Sequence, residues 1–406
     1  MRRLRTTSTR RLLTALACAG VLVMSVAIAA QAALSGSGPV PPPKALAQAI
    51  KDALGAPSPD GLTARITFTN DLLPGGSLPG ASSALTSGAD GRLWLAKDGR
   101  LRLELQADSG DVQISSDGER ITLFDSASNT VYRAKLPAVD ERRRSSKHDA
   151  RNITLAKVQA ALERLTKLWT VSGADPTTVA DQPAYSVRIA PKDDGGLLGA
   201  ARLAWDAVTG VPLRAAVYAQ GQSSPVLELE ATDISYGEVA DADVATTVPA
   251  GAKVVDLRPK GRPAASAPGA RSGAADAVRG VAAVADELDF ALAAPDELAG
   301  LPRRGVHLVE MDGRNGALVT YGEGLGAIVV LQHKPDPRAA GEDEPARRRH
   351  GAATDALPRI NIDGVTGTEL ATALGTIVMF EREGVSYVVA GSVPPLAAEN
   401  AARGLK

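Results

Sequence analysis

Between Leu62 and Leu136 apolar and polar residues alternate with a period of two, and tight-turn residues break the alternation at short intervals. Residues 92–105 (RLWLAKDGRLRLEL) are two alternating runs around Asp98-Gly99. Residues 111–124 (DVQISSDGERITLF) repeat the pattern at Asp117-Gly118, and 121–136 (ITLFDSASNTVYRAKL) turn at Ser126–Asn129. Asp-Gly flanked by alternating hydrophobics is a strong local signal for a hairpin, because the turn needs positive φ that glycine adopts at no steric cost. The sequence therefore predicts an antiparallel meander here, with one apolar face.

Other stretches add helices and strands around it. Residues 44–54 (KALAQAIKDAL) place Leu46, Ile50 and Leu54 on one helical face. A polar run, 141–151 (ERRRSSKHDAR), leads to a predicted helix over 154–169, with Leu155, Val158, Leu162, Leu165 and Trp169 on its apolar side. Further strands are predicted at 185–190, 201–206, 211–219 and 226–236, with a turn at Gly210. Residues 258–275 (RPKGRPAASAPGARSGAA) have a linker's composition, so the chain divides into 44–257 and 286–406 with 258–285 between them. The second part is predicted to hold strands near 305–310, 317–321, 326–332, 376–382 and 386–391 and a helix at 396–403. A charged, proline-containing loop at 334–358 interrupts it, with the composition of a disordered segment.

The N-terminus speaks to compartment. Five arginines precede residues 12–34 (LLTALACAGVLVMSVAIAAQAAL), which carry no charge. That is the basic-then-apolar order of a signal peptide, with Ala30-Gln31-Ala32 as a cleavage site; the run is also long enough to stay as a membrane anchor. Either way the rest of the chain is expected outside the cytoplasm. Without those arginines the net charge moves from −1 to −6, so the folded part lacks the basic face of a nucleic-acid binder. The single cysteine, Cys18, lies in the apolar run, which leaves neither disulfides nor a thiolate metal site for the body.

No motif for catalysis stands out. His148, His307, His333 and His350 form no metal-ligand spacing, and no nucleophile elbow precedes a helix. Gly322, Gly324 and Gly326 lead into the strand AIVVL and not into a helix, so they read as a turn between strands and not a phosphate loop. Residues 286–298 (DELDFALAAPDEL) lack the order of a calcium loop. The sequence predicts a protein that is not an enzyme and needs no cofactor or metal.

The ordered set of the leading helix, "GRLWLAKDGRLRLEL", "DVQISSDGERITLFDSASNTVYRAKL", the inserted helix, "ARLAWDAVTGVPLRAAVYA" and the closing "VPAGAKVVDL" (248–257) resembles the LolA/RseB-like family of extracytoplasmic lipid- and lipoprotein-binding proteins. The resemblance implies an α+β fold: a strongly curved antiparallel half-barrel sheet covered by helices, with a cavity for acyl chains. Residues 317–333 (ALVTYGEGLGAIVVLQH) and 384–402 (GVSYVVAGSVPPLAAENAA) are similar to the small C-terminal α+β domain of MucB/RseB-type sigma-E regulators, which implies a membrane anti-sigma factor as a second possible partner. The 334–358 insertion and the 258–275 linker depart from that pattern.

Two functions follow as expectations, a lipid or lipoprotein carrier and an envelope-stress regulator. An ordinary β-sandwich core would show the same alternation. The expected wall for acyl chains is Leu93, Leu95, Leu101, Leu103, Val112, Ile114 and Ile121, covered by Leu155, Val158, Leu162 and Leu165.

Overall fold

The computed structural model describes residues 39–73, 84–136, 154–192, 196–257, 278–311, 314–335 and 357–405. The N-terminal apolar run, the whole polar segment 141–151, the 258–277 stretch and most of the 334–358 loop lie outside them.

The first half builds a 13-stranded sheet that curls into a half-barrel. Strand β1 (Gly61–Asn70) lies near its middle. On one side of it the predicted meander runs outward through β2 (Ala89–Ala96), β3 (Leu101–Gln106), β4 (Val112–Ser116), β5 (Arg120–Asp125) and β6 (Thr130–Lys135). All three predicted turns form, and each contains a residue at positive φ: Gly99 (92°), Gly118 (89°) and Asn129 (45°). On the other side lie β12 (Leu227–Tyr236), β11 (Pro212–Ala219), β10 (Leu198–Asp206), β9 (Gln182–Pro191) and β7 (Trp169–Val171), with β8 (Asp175–Val179) also paired to β9. The chain then passes to the far edge, where β13 (Lys253–Leu257) pairs with β6 in parallel. On the way Val244 is buried and Thr246 donates to Ser115 Oγ at 2.9 Å, on the outer face.

Helix α1 (Leu46–Gly55) corrects one expectation. Its buried residue is Ala49, and Leu54 is exposed, because the helix approaches Tyr185 and Trp205 through a small side chain. Lys44 and Asp52 form an ion pair of 2.7 Å beside that contact, and the Tyr185 hydroxyl donates to Pro42 O at 2.7 Å. The short helix α2 (Ala84–Ser87) fills one end of the inner face: Ala84 is fully buried and Leu85 packs on the apolar cluster there. Helix α3 (Leu155–Leu165) starts at the Thr154 N-cap and is shorter than predicted. Trp169 belongs to β7, where pairing with Pro191 outcompetes another helical turn.

The second half forms an eight-stranded antiparallel sheet from β14 (Glu297–Leu298), β15 (Leu301–Met311), β16 (Arg314–Tyr321), β17 (Ile328–His333), β18 (Arg359–Ile362), β19 (Val365–Thr372), β20 (Gly375–Arg382) and β21 (Val385–Gly391). Helix α4 (Val281–Ala285) and helix α5 (Pro395–Arg403) pack on one of its faces around Val319, Tyr321, Val330, Val378 and Val389, an apolar cluster separate from that of the half-barrel. Gly322 and Gly324 fall in the turn between β16 and β17, as the sequence predicts. Gln332, fully buried, acts there as a piece of backbone. Its amide accepts from Ala293 N at 2.9 Å and donates to Ala293 O at 2.7 Å.

Candidate functional site

Residues paired across antiparallel strands share a face, so the register assigns the inner wall directly. One row runs Leu62–Leu95–Leu101–Ser116–Ile121, and the next runs Ala64–Leu93–Leu103–Ile114–Leu123. Leu105 and Val112 pair beside them, and both are buried. The wall continues across β1, where Ala64 meets Ile234 and Phe68 meets Leu229. From Leu229 it passes to Ala215, Leu203 and Val187. The two rows through Leu95 and Leu93 contain no charged side chain, and the row of Leu105 and Val112 reaches Asp125 only at its outer end. The outer face is polar: Trp94 lies between the guanidinium groups of Arg92 (5.5 Å) and Arg102 (5.7 Å), and Arg102 pairs with Glu104.

At the centre of the inner face is a cavity of about 90 Å³. Pro59, Leu62, Ala64, Ile66, Leu93 and Leu95 line one side, and Val211, Pro212, Leu213, Ala215, Leu229, Ala231 and Ile234 line the other. Arg214 is the one charged residue in its lining. The guanidinium pairs with Glu228 at 2.5 Å and lies 3.7 Å from Glu230, so its charge is already met. Burial raises the Glu230 pKa, with Arg214 opposing and Glu228 adding to the rise. Toward the flanks the face opens: Ile121 and Leu203 point the same way as the cavity lining, yet are 36% and 37% exposed.

One end of the cavity wall is held by a polar knot. Asp206, 1% exposed, accepts from Val208 N and Thr209 N at 2.7 and 3.0 Å and from the Tyr236 hydroxyl at 2.7 Å. Burial pushes the Tyr236 hydroxyl well above its ordinary range, which keeps it a donor. The knot fixes the β10–β11 turn just before Val211 and Leu213 enter the wall.

Of the expected wall, Leu93 and Leu95 line the cavity itself. Leu103, Val112 and Ile114 belong to the same apolar cluster, while Leu101 and Ile121 extend the face beyond it. Of the expected cover, Val158 is buried and Leu155, Leu162 and Leu165 are half-buried; α3 packs against α1 and gives no side chain to the cavity lining. Helix α1 sits over the inner face at Tyr185 and Trp205, two residues along from Val187 and Leu203. The half of the wall that sequence reasoning missed comes from β11 and β12. Its signal was present in 227–231 (LELEA), where Leu229 and Ala231 alternate with Glu228 and Glu230.

Among the described residues no three His, Cys, Asp or Glu side chains come together as metal ligands, and no helix is long and apolar enough to cross a membrane. His307 lies in β15, and burial lowers its pKa, with Arg279 adding to the effect. His148 and His350 lie outside the described residues.

No curated protein matches the chain. Among solved structures it is similar to MucB in complex with MucA(peri), at TM-score 0.38 and 15% identity over 89% of this chain and 96% of that one. The Pseudomonas aeruginosa MucA/MucB complex gives TM-score 0.37 and 14% identity over 88% and 94%. The LolA superfamily protein NE2245 from Nitrosomonas europaea gives TM-score 0.21 and 10% identity over 50% and 99%. Residues 78–154, which span β2 to β6, match a family model, DUF2092, described as a predicted periplasmic protein, and the extracytoplasmic placement expected from the N-terminus agrees with that description.

Proposed function

We propose that the protein is a non-enzymatic extracytoplasmic binder of lipid or lipoprotein, taking acyl chains on the inner face of the half-barrel. The observation that carries this reading is a mostly apolar inner wall with a cavity at its centre, whose one charged lining residue, Arg214, is already paired, and which continues past the cavity to the partly exposed Ile121 and Leu203. Ile121 and Leu203 extend the apolar face beyond the cavity, where the part of a chain that the cavity does not hold would lie. An apolar cavity of about 150 Å³ takes a benzene ring, so a cavity of about 90 Å³ takes roughly three or four carbons. Each methylene buried contributes about 0.8 kcal/mol, so the cavity seats part of a chain and the open flanks receive the rest. With Arg214 already paired to Glu228 and Glu230, no free charge among the described lining residues selects a head group.

A titration with 11-(dansylamino)undecanoic acid tests the reading on the full chain. Wild-type protein should bind it, and Leu95→Asp and Leu103→Asp should lose most of the affinity while keeping their circular dichroism. No uptake by the wild type, or equal uptake by well-folded variants, would remove the carrier reading.

A second reading gives the C-terminal sheet a protein partner, a membrane anti-sigma factor. It rests on the resemblance of 317–333 and 384–402 to the C-terminal domain of MucB/RseB-type regulators, and the eight-stranded sheet, with its own core, takes no part in the cavity lining. Crosslinking of the full chain in membranes would test it, a covalent adduct through β14–β21 to a membrane protein being the expected product and adducts confined to the half-barrel the contrary one.

A further inference from the structure

Among the described residues, backbone hydrogen bonds join the two halves at two places beside the sheets. At the first, Leu197 N donates to both the carbonyl and the hydroxyl oxygen of Ser392, at 3.1 and 3.0 Å, and the Ser392 hydroxyl donates to Leu374 O at 2.8 Å. Gly196, beside it at φ 65°, approaches so closely that an added Cβ would overlap the Ser392 carbonyl oxygen. At the second, Ala373 N donates to Leu72 O at 2.8 Å. Leu72 is not an isolated loop residue. Its own N–H donates to Asn70 Oδ1 at 3.1 Å, and Asn70 Nδ2 donates to Leu85 O at 2.7 Å. Leu85 lies in α2, the short helix that fills one end of the inner face through Ala84.

The geometry points to a regulated inner face: docking of the C-terminal sheet on the half-barrel, through Ser392–Leu197 and Ala373–Leu72, holds α2 in place by way of Asn70. Undocking releases α2 and opens that end of the apolar wall. Four residues make so short a helix that it has little stability of its own, so its position depends on what its ends are tied to. Part of that support, beside the packing of Ala84 and Leu85, is the Asn70 side-chain amide, whose other bond reaches the docking contact. A partner that takes hold of the C-terminal sheet would thereby change access to the site. The consequence for lipid rests on the acyl-chain reading; the mechanical link does not.

Hydrogen exchange of the full chain separates the two. In Gly196→Ala the added Cβ displaces Ser392, and in Ser392→Ala the hydroxyl contacts to Leu197 and Leu374 are lost. Either variant should speed exchange at 84–88 by roughly five- to tenfold, the effect of losing one net hydrogen bond, while peptides from β16, β17 and β20 keep their protection. Asn70→Ala should give the same release at 84–88 with exchange at 373–374 and 392 unchanged. The dansyl fatty acid should then enter several times faster in all three. If exchange rises at 373–374 and 392 in the docking variants but stays fixed at 84–88, the link does not exist. Should wild type take up no fatty acid, the acyl-chain reading fails and the exchange result still decides the link. Where Gly196→Ala does not fold, Asn70→Ala decides the question, because it cuts the link between Leu72 and Leu85 directly: unchanged exchange at 84–88 in that variant overturns the proposal.

Discussion

Filling the cavity should stabilise the protein and weaken its ligand at the same time. Ala64 sits in β1 at the cavity wall, 3% exposed, between Leu93 and Ile234 on the neighbouring strands. Ala64→Ile adds three carbons and a β-branched side chain that suits a strand. An enclosed empty cavity costs about 24 cal/mol per Å³, so about 90 Å³ corresponds to at most ~2 kcal/mol in this partly open one. Imperfect fit returns some of that, since overpacking costs ~1–3 kcal/mol. The net expectation runs from no change to a gain of ~2 kcal/mol, or up to about 8 °C in Tm for a unit of this size. A ligand that loses the space of three methylenes forfeits ~2.5 kcal/mol, which is roughly a 50- to 100-fold rise in Kd. Thermal unfolding by circular dichroism and the dansyl fatty acid titration read the two effects. A Tm that holds or rises together with an unchanged Kd would show that the cavity is not where the chain sits. A Tm that falls by many degrees, with Ala64→Val falling too, would show that the space is not available to a side chain at all.

Glu230→Gln should raise Tm at pH 8. Burial lifts the folded-state pKa of this carboxyl, so its ionised form costs stability as pH rises through that value; the difference from wild type should shrink toward pH 4, and a Tm lowered at pH 8 would contradict the assignment. Gln332→Leu should cost ~2–4 kcal/mol, because Ala293 N and O lose their partners inside the C-terminal core, and peptides covering 290–294 should lose exchange protection first. Domain independence is tested by limited proteolysis: cleavage between Arg258 and Arg279 should release two stable fragments, and resistance across that stretch would argue for one cooperative unit.

The hairpins were legible because each is closed by residues next to one another in the chain. Asp98-Gly99 and Asp117-Gly118 fix turn and register together, and the face assignment of Leu93 through Ile121 follows from them. The alternation of the opposite wall was visible in 227–231, but its place on this face was not, because Ala64 meets Ile234 only through pairing of strands far apart in the chain. A register shift opposite Arg65/Ile66 also breaks strict alternation, so that Ala231 and Ile234 both line the cavity. Periodicity overextended α3 through Trp169 for a related reason. A helical face and a short edge strand both satisfy an apolar residue at that spacing, and only the partner strand β9 decides between them. Helix α1 shows the limit of reading burial from side-chain size: the contact with Tyr185 is made by Ala49, and Leu54 is left in solvent.

The most direct test of the acyl-chain site is photocrosslinking with a diazirine-bearing fatty acid on the full chain, followed by peptide mapping. Label should concentrate on the inner-face residues of β1, β2, β11 and β12, with Leu62, Leu93, Leu95, Leu213 and Leu229 foremost, and Ala64→Ile should suppress it. Label spread over the outer face around Trp94, or confined to β14–β21, would contradict the proposed site.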